Sequence, residues 1–244
     1  MSRSPGDLAR TTARGLGQTL LTVGFVLLLF VVYELWVTDL QSAAAQEDLT
    51  TELREEWNDP ARPVPTEFGS GEAFAFLHIP RLGADYARAV VQGTGTVELA
   101  DGPGHYTDTA MPGEQGNFAV AGHRVGRGSP FLELDELRPG DPIVVETAES
   151  WYVYRVLGDP ATGSFTAPGS TVPGRQIVSP SDVSVINPTP GAAPEAPPTG
   201  AFLTLTTCHP EYSARQRLII HAVLDGTPIP RADVPEGPGA LREG

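Results

Sequence analysis

Lysine is absent from the 244 residues, and a single cysteine is present. One cysteine cannot form a disulfide within the chain, so disulfides do not hold this fold together. Basic residues are also few: 16 arginines stand against 30 acidic residues, which gives a formal net charge of −14. This balance argues against nucleic acid as a partner, because phosphate backbones attract basic surfaces.

Glycine and proline, in contrast, are abundant, with 27 and 24 copies. Within residues 72–225 they separate about eight short apolar runs, a pattern that predicts an all-β domain with short helices, built as a closed barrel or a sandwich. Residues 187–200 are too rich in proline to pair as a strand and are predicted to form a loop. The Pro/Gly-rich residues 226–244 predict a disordered tail.

The N-terminus carries a long apolar run. Residues 1–15 hold three arginines, and residues 16–37 are almost entirely apolar, with Glu34 and Trp36 near their end. A run of this length predicts a transmembrane helix. The arginines before it predict a cytoplasmic N-terminus and an extracellular location for the domain that follows. The alternative is a signal peptide cleaved near Ala43–Ala45.

Residues 38–71 connect this span to the β-rich domain. Their first part is polar and favours a helix, and their second part contains Pro60, Pro63 and Pro65. We therefore expect an extracellular stalk followed by a linker, which would lift the domain away from the membrane surface.

The only cysteine, Cys208, ends an apolar strand that begins near Ala201. Side chains alternate between the two faces of a strand. If Leu203 and Leu205 face the core, Cys208 faces away from it. The same argument places Arg217 on the outward face of the next strand and His123 on the outward face of an earlier one.

A thiol, an imidazole and a guanidinium on one face are suited to acyl transfer. The thiolate attacks a carbonyl, the histidine moves the proton, and the arginine stabilises the developing oxyanion. Taken singly, each residue also has an ordinary structural explanation. His209 is a rival for the base, and Arg215 has the same alternation as Arg217.

Several motifs then resemble one family. The sequence Thr-Leu-Thr-Thr-Cys at 204–208 resembles the sortase TLXTC signature, and residues 117–124 resemble the block that holds the catalytic histidine of sortases. Arg217 falls where that family carries its catalytic arginine. Gly104-His105-Tyr106, Met111-Pro112-Gly113, residues 182–186 and residues 208–217 resemble the actinobacterial class E branch in particular.

The resemblance implies a closed eight-stranded barrel and a cysteine transpeptidase. Cys208 would cleave a LAXTG- or LPXTG-like C-terminal sorting motif between Thr and Gly, form a thioester, and pass the protein to a cell-wall amine. His123 would be the acid/base and Arg217 the oxyanion clamp. Tyr106, Thr206 and Thr207 would contribute to substrate binding. Partners would be secreted proteins with sorting motifs and a peptidoglycan precursor or other amine; no metal or other cofactor is expected.

Other functions remain open at this point. An L,D-transpeptidase is also exported and β-rich, but its Ser-His-Gly-Cys core is absent here. A papain-like peptidase usually has its cysteine before its histidine, whereas His123 precedes Cys208. A non-catalytic sortase-like surface binding domain is the non-enzymatic alternative.

Overall fold

The computed structural model describes residues 5–33, 38–167 and 169–244. The helices are α1 (Pro5–Val32), α2 (Thr38–Asn58) and α3 (Glu98–Asp101). The strands are β1 (Ala73–His78), β2 (Ala87–Gln92), β3 (Gly104–His105), β4 (Gly116–Ala121), β5 (Pro142–Glu146), β6 (Ser150–Val156), β7 (Arg175–Val178), β8 (Ala201–His209), β9 (Gln216–Leu224) and β10 (Ile229–Pro230). Short 3-10 turns occur at Pro80–Leu82, Leu134–Glu136, Val183–Ile186 and Gly239–Arg242.

Eight of these strands form a closed barrel. Their order is β6-β5-β1-β2-β3-β4-β8-β9, and β9 pairs back onto β6 from Tyr154↔Leu224 to Val156↔Ala222. β7 and β10 extend the sheet outside this ring, on β9 and β6 respectively. This pairing confirms the predicted closed eight-stranded barrel. Closing the ring removes the exposed edges that a single open sheet would leave.

The barrel interior follows from alternation along the strands. Leu203 and Leu205 of β8 lie fully buried in the core with Leu218 and Ile220 of β9. Thr204 and Thr206 lie on the opposite, outer face of β8, as the alternation predicts. The prediction of a loop at residues 187–200 also agrees with the structure, because these residues contain no strand.

α2 corrects the prediction of a stalk. Phe76 of β1 points outward from the barrel, yet it is only 1% exposed, because Leu53 and Trp57 of α2 pack over it. Gln46 adds a pair of hydrogen bonds with the backbone of Ala89, donating through Nε2 and accepting through Oε1. A helix with an apolar stripe and a matching outward Phe buries both surfaces by docking. α2 is therefore part of the barrel's outer layer and not a free spacer.

The C-terminal segment corrects a second prediction, that of a disordered tail at 226–244. β10 pairs with β6, and the indole Nε1 of Trp151 donates to the carbonyl of Val234 at 3.1 Å. Ala240 is buried against Trp151 and Val144. The tail is ordered because the outer faces of β5 and β6 carry apolar side chains that it covers.

A buried carboxylate ties these two extensions to the barrel. Glu146 of β5 is 1% exposed and accepts a bidentate pair of hydrogen bonds from Arg54 of α2. His78 lies 3.1 Å from its Oε2, and Arg231 of the C-terminal segment lies 3.5 Å from its Oε1. Removing one partner of such a buried cluster leaves charge without compensation, so the cluster favours the docked positions of both extensions.

α1 precedes this domain. Within it, Thr12–Val32 is 21 residues long with a mean hydropathy of 2.2, and its side chains are exposed. At 1.5 Å per residue the segment is about 32 Å long, enough to cross a bilayer core. Glu34 and Trp36, which the sequence placed at the end of the span, lie outside the described residues.

Candidate active site

Cys208 and Arg217 are directly opposite each other in the antiparallel ladder of β8 and β9. The pairing runs without interruption from Phe202↔Val223 to His209↔Gln216, so no bulge changes the predicted alternation. Directly opposed residues have Cα atoms about 4.5–5.5 Å apart and side chains on the same face. Both side chains therefore leave the sheet on its outer face, where each is partly exposed.

His123 approaches Cys208 from the other side of β8. β4 and β8 are parallel, with Ala121 paired to Thr206, and the amide of Gly122 donates to the carbonyl of Thr206 at 3.0 Å. Two residues beyond this last pair, the chain reaches His123 after β4 and Cys208 in β8. The three candidate residues thus lie on three adjacent strands or strand ends, with the cysteine in the middle.

His123 lies in a partly buried position. Burial, and secondly the positive charge of Arg127, lower the pKa of His123 below its ordinary value of 6.5. The imidazole is therefore neutral at pH 7. A neutral imidazole can accept a proton from a thiol, and the imidazolium that results can donate it to a leaving group.

The guanidinium of Arg217 donates from Nη1 to the carbonyls of Ala214 (3.1 Å) and Gln216 (3.0 Å). These contacts hold the cation at the start of β9, beside the turn that joins β8 to β9. Because the backbone of Arg217 faces that of Cys208, a change of the Arg217 side-chain torsions alone could direct the guanidinium toward a group bound at the thiol. Arg215, the rival candidate, lies exposed within the turn and has no partner residue in the ladder.

Two threonines before Cys208 connect it to its neighbours. The hydroxyl of Thr206 lies 3.0 Å from that of Tyr106, on the outer face. Thr207 is 2% exposed, and its hydroxyl donates to the carbonyl of Gly122 at 2.8 Å. Thr207 therefore fixes the backbone immediately before His123, whereas Tyr106 and Thr206 contribute polar groups to the surface beside the thiol.

Arg124 is a site residue that the sequence reasoning missed. It is only 3% exposed, and its Nη1 donates to Nδ1 of His209 at 3.0 Å, while Nη2 lies 2.8 Å from Asp135 and 3.7 Å from Glu211. The contact with Arg124 makes Nδ1 of His209 an acceptor and commits that nitrogen to a hydrogen bond within the protein. The sequence offered one signal, a basic residue next to the candidate histidine. Because an arginine is ordinarily exposed, this signal did not predict a buried one.

A second polar network lies farther along the outer face of β8. Gln176 donates to Nε2 of His221 (3.0 Å), Nδ1 of His221 contacts the hydroxyl of Thr204 (2.8 Å), and this hydroxyl donates to Oδ1 of Asn117 (2.7 Å). The amide of Asn117 in turn donates to the carbonyls of Val185 and Asn187. Burial lowers the pKa of His221 to about 3, so this histidine is neutral and structural. The network anchors the beginning of the Pro-rich 187–200 loop to the outer face of β4 and β8.

Metal ligands do not gather at this site. Among the described residues, no group of three or more His, Cys, Asp or Glu side chains is arranged to hold a metal ion. His105 is held by Gln92 at 2.7 Å and by Thr109 at 3.0 Å, as a buried structural residue.

Comparisons with known proteins match this chain to one family. The family model described as "Sortase domain" matches residues 77–225. The chain is 37% identical over 226 residues to "Sortase SrtE1" of Streptomyces coelicolor, an alignment that covers 90% of this chain and 58% of that protein. The chain thus spans little more than half the length of that relative.

Solved structures of sortases are similar to this chain in both fold and sequence. A sortase of Corynebacterium diphtheriae, SrtF, superposes with a TM-score of 0.67 at 42% identity, over 76% of this chain and 98% of that one. Sortase E1 of Streptomyces coelicolor, solved with a tripeptide in its active site, gives a TM-score of 0.57 at 34% identity, over 72% of this chain and 99% of that one. On the family match and these similarities, the chain belongs to the sortase family.

Proposed function

We propose that this chain is a membrane-anchored cysteine transpeptidase that uses Cys208, His123 and Arg217 on C-terminal sorting motifs. The observation that carries the proposal is the register of three strands: Cys208 of β8 is opposite Arg217 of β9, and His123 follows the end of β4, which pairs with β8 as far as Thr206. Sortases act as transpeptidases on sorting-motif substrates, and this arrangement supplies the groups that such chemistry needs.

In the first half of the reaction, His123 accepts the thiol proton and Sγ of Cys208 attacks the carbonyl carbon of the motif's threonine. Arg217 stabilises the oxyanion, together with backbone N–H groups near Thr207. The C–N bond to glycine then breaks, and His123 returns the proton to the leaving amine. The product is a thioester between Cys208 and the threonine.

In the second half, an amine of a peptidoglycan precursor or another cell-wall acceptor attacks the thioester carbonyl. His123 takes a proton from this amine, the C–S bond breaks, and the proton returns to the thiolate. A new amide bond joins the anchored protein to the acceptor, and the enzyme regains its thiol. No redox step is needed, so the cycle balances without a cofactor.

The substrate is expected to be a LAXTG- or LPXTG-like motif, and the Tyr106–Thr206 pair is proposed to contact its second residue. The hydroxyls of this pair lie on the outer face two residues before Cys208. The solved sortase E1, whose active site holds a tripeptide, supports a peptide ligand for the family. The 187–200 loop, anchored through Asn117, is proposed to border a catalytic groove that runs along this outer face to Cys208.

The location is proposed from α1. A helix of this length and composition before the catalytic barrel would anchor it, with the N-terminus in the cytoplasm and the barrel outside, because arginines precede the span. The outer surface of the cell is also where secreted substrates and wall precursors meet.

The test uses the full-length chain in detergent with a quenched LAXTG peptide and an amine acceptor. We expect cleavage at Thr–Gly, transfer to the acceptor, and an acyl adduct on Cys208 detected by intact mass. Cys208→Ala should abolish all three. A wild-type chain without adduct or turnover on LAXTG and LPXTG peptides would overturn the proposal in favour of a non-catalytic binding domain.

A further inference from the structure

An apolar surface lies beside the candidate active site and is not used by the proposed chemistry. It comprises Leu40 at the start of α2, Val125 and Leu132 after His123, and Tyr212 in the β8–β9 turn, around a shallow depression edged by Asp39, Gly126 and Ser129. Leu40 is 70% exposed and Tyr212 is 81% exposed. We name these four apolar residues the active-site patch.

The chain connection places this patch near the end of α1. Tyr33 is the last residue described there, and α2 begins at Thr38. Five residue steps extend over at most about 18 Å. If α1 crosses the membrane, Thr38 must therefore lie within about that distance of Tyr33, and Leu40 follows two residues later in α2.

The start of α2 is also fixed to the loop that follows His123. The carboxylate of Asp39 accepts a hydrogen bond from the amide of Gly128 at 2.9 Å. Ser42, which is buried, donates to the carbonyl of Ala100 at 2.6 Å. Because α2 is held to the barrel at several points, the loop after His123 stays beside the start of α2, and both lie a short length of chain from the end of α1.

We propose that the active-site patch inserts into the lipid interface, so that the catalytic groove opens toward the membrane surface. This rests on the membrane anchoring given under the proposed function. Tyr212 and Leu40 suit this position. The tyrosine ring is amphipathic, and moving an aliphatic side chain out of water lowers the free energy. The carboxylate of Asp39 at its edge limits insertion to the apolar side chains.

This orientation has a consequence for the substrate. A sorting motif near a membrane-held C-terminus, and an acceptor carried on a lipid, both lie within a short distance of the bilayer surface. A groove that faces the membrane reaches them directly, whereas a groove held away on a spacer would not. The docked helix α2 thus keeps the site close to the membrane, whereas the predicted stalk would have raised the site above the membrane surface.

The experiment places a spin label at single positions of the full-length chain in nanodiscs of phosphatidylethanolamine and phosphatidylglycerol. Cys208→Ala removes the only native thiol, and Leu40→Cys or Tyr212→Cys then supplies the label. Val64→Cys is the matched control. It is an exposed apolar residue beyond the far end of α2, and that helix is about 30 Å long.

Labels at 40 and 212 should be more accessible to oxygen and less accessible to a water-soluble nickel complex than the label at 64. Equal accessibility at all three positions would overturn the proposal. Flotation of the same samples with lipid tests anchoring separately, and turnover of a soluble peptide by the wild-type chain tests the chemistry separately.

A second measurement uses activity. Leu40→Gln should lower turnover of a peptide tethered to the nanodisc several-fold and leave turnover of the soluble peptide within about twofold, because Leu40 is exposed and outside the catalytic machinery. An equal effect on both peptides, or none on either, would contradict a role at the membrane.

Discussion

The guanidinium of Arg124 donates to Nδ1 of His209 across 3.0 Å and thereby joins the residue after His123 to the residue after Cys208. The same side chain reaches Asp135 and Glu211, while its Nε is buried without a partner among the described residues. Arg124 therefore links the loop after β4 to the turn after β8. Arg124 is therefore a positioning residue that holds His123 and the thiol of Cys208 in place relative to each other.

We expect Arg124→Met to lower the rate of Cys208 alkylation by iodoacetamide several-fold and to change the pH profile of that rate, because His123 would lose its fixed position. Since Cys208 is the only thiol, the rate reports on this site alone. Arg124→Lys keeps the charge but not the planar fork and should recover only part of the rate. Arg215→Met, on an exposed arginine, is the control. An unchanged pH profile in Arg124→Met would leave Arg124 a purely structural role.

The two arginines of the β8–β9 region should differ sharply. Arg217→Ala is expected to lower kcat/KM by about 10²- to 10³-fold, the usual effect of removing one oxyanion donor. Arg215→Ala should have less than about a threefold effect, because it lies exposed in the turn and is not opposite Cys208. Steady-state kinetics on the quenched peptide measure both, and comparable losses would contradict the choice of Arg217.

The hydrogen bond between Tyr106 and Thr206 is expected to affect peptide selectivity. Tyr106→Phe removes one hydroxyl of the 3.0 Å pair and should change the ratio of kcat/KM between LAXTG and LPXTG peptides by several-fold. Thr206→Val, of similar shape, should change the ratio in the same direction. If both peptides lose activity equally in both variants, the pair serves the fold and not substrate choice.

Stability should fall as the solution becomes acidic. Burial lowers the pKa of His105 to about 4 and that of His221 to about 3, from 6.5. The unfolded chain binds these protons below pH 6.5 and the folded chain does not, so stability present above pH 6.5 is lost toward the folded-state values. Each histidine should contribute a slope of about 1.4 kcal/mol per pH unit.

Urea unfolding between pH 6.5 and about pH 5, where carboxylates contribute little, measures this slope. His221→Gln should reduce it by about one histidine's share, whatever its effect on stability at pH 7. An unchanged slope in the variant would show that His221 does not titrate between these states.

The docking of α2 has its own test. Leu53→Ala should lower the free energy of unfolding by about 2–5 kcal/mol, because Leu53 is 3% exposed and packs on Phe76 and Ala89. Glu55→Ala, on the exposed side of the same helix, should change it by less than about 0.5 kcal/mol. Urea unfolding of both variants decides the matter, since a free stalk would give no difference between them.

The sequence by itself determined the fold class and the direction of the key side chains. Alternation along β8 and β9 put Cys208 and Arg217 outward, and the regular ladder kept that alternation intact. The pattern of short strands predicted a closed barrel or a sandwich, and the resemblance of the motifs to those of sortases implied the closed eight-stranded barrel. These are local properties, which depend on neighbours in the chain.

Only the tertiary structure decided what covers the barrel and what holds the site. The polar character of α2 and the composition of residues 226–244 indicated a stalk and a disordered tail, yet both pack onto outward apolar side chains such as Phe76 and Trp151. Arg124 became buried because three partners distant in sequence converge on it. Such contacts join residues tens of positions apart, and their free energy appears only when the strands bring those surfaces together.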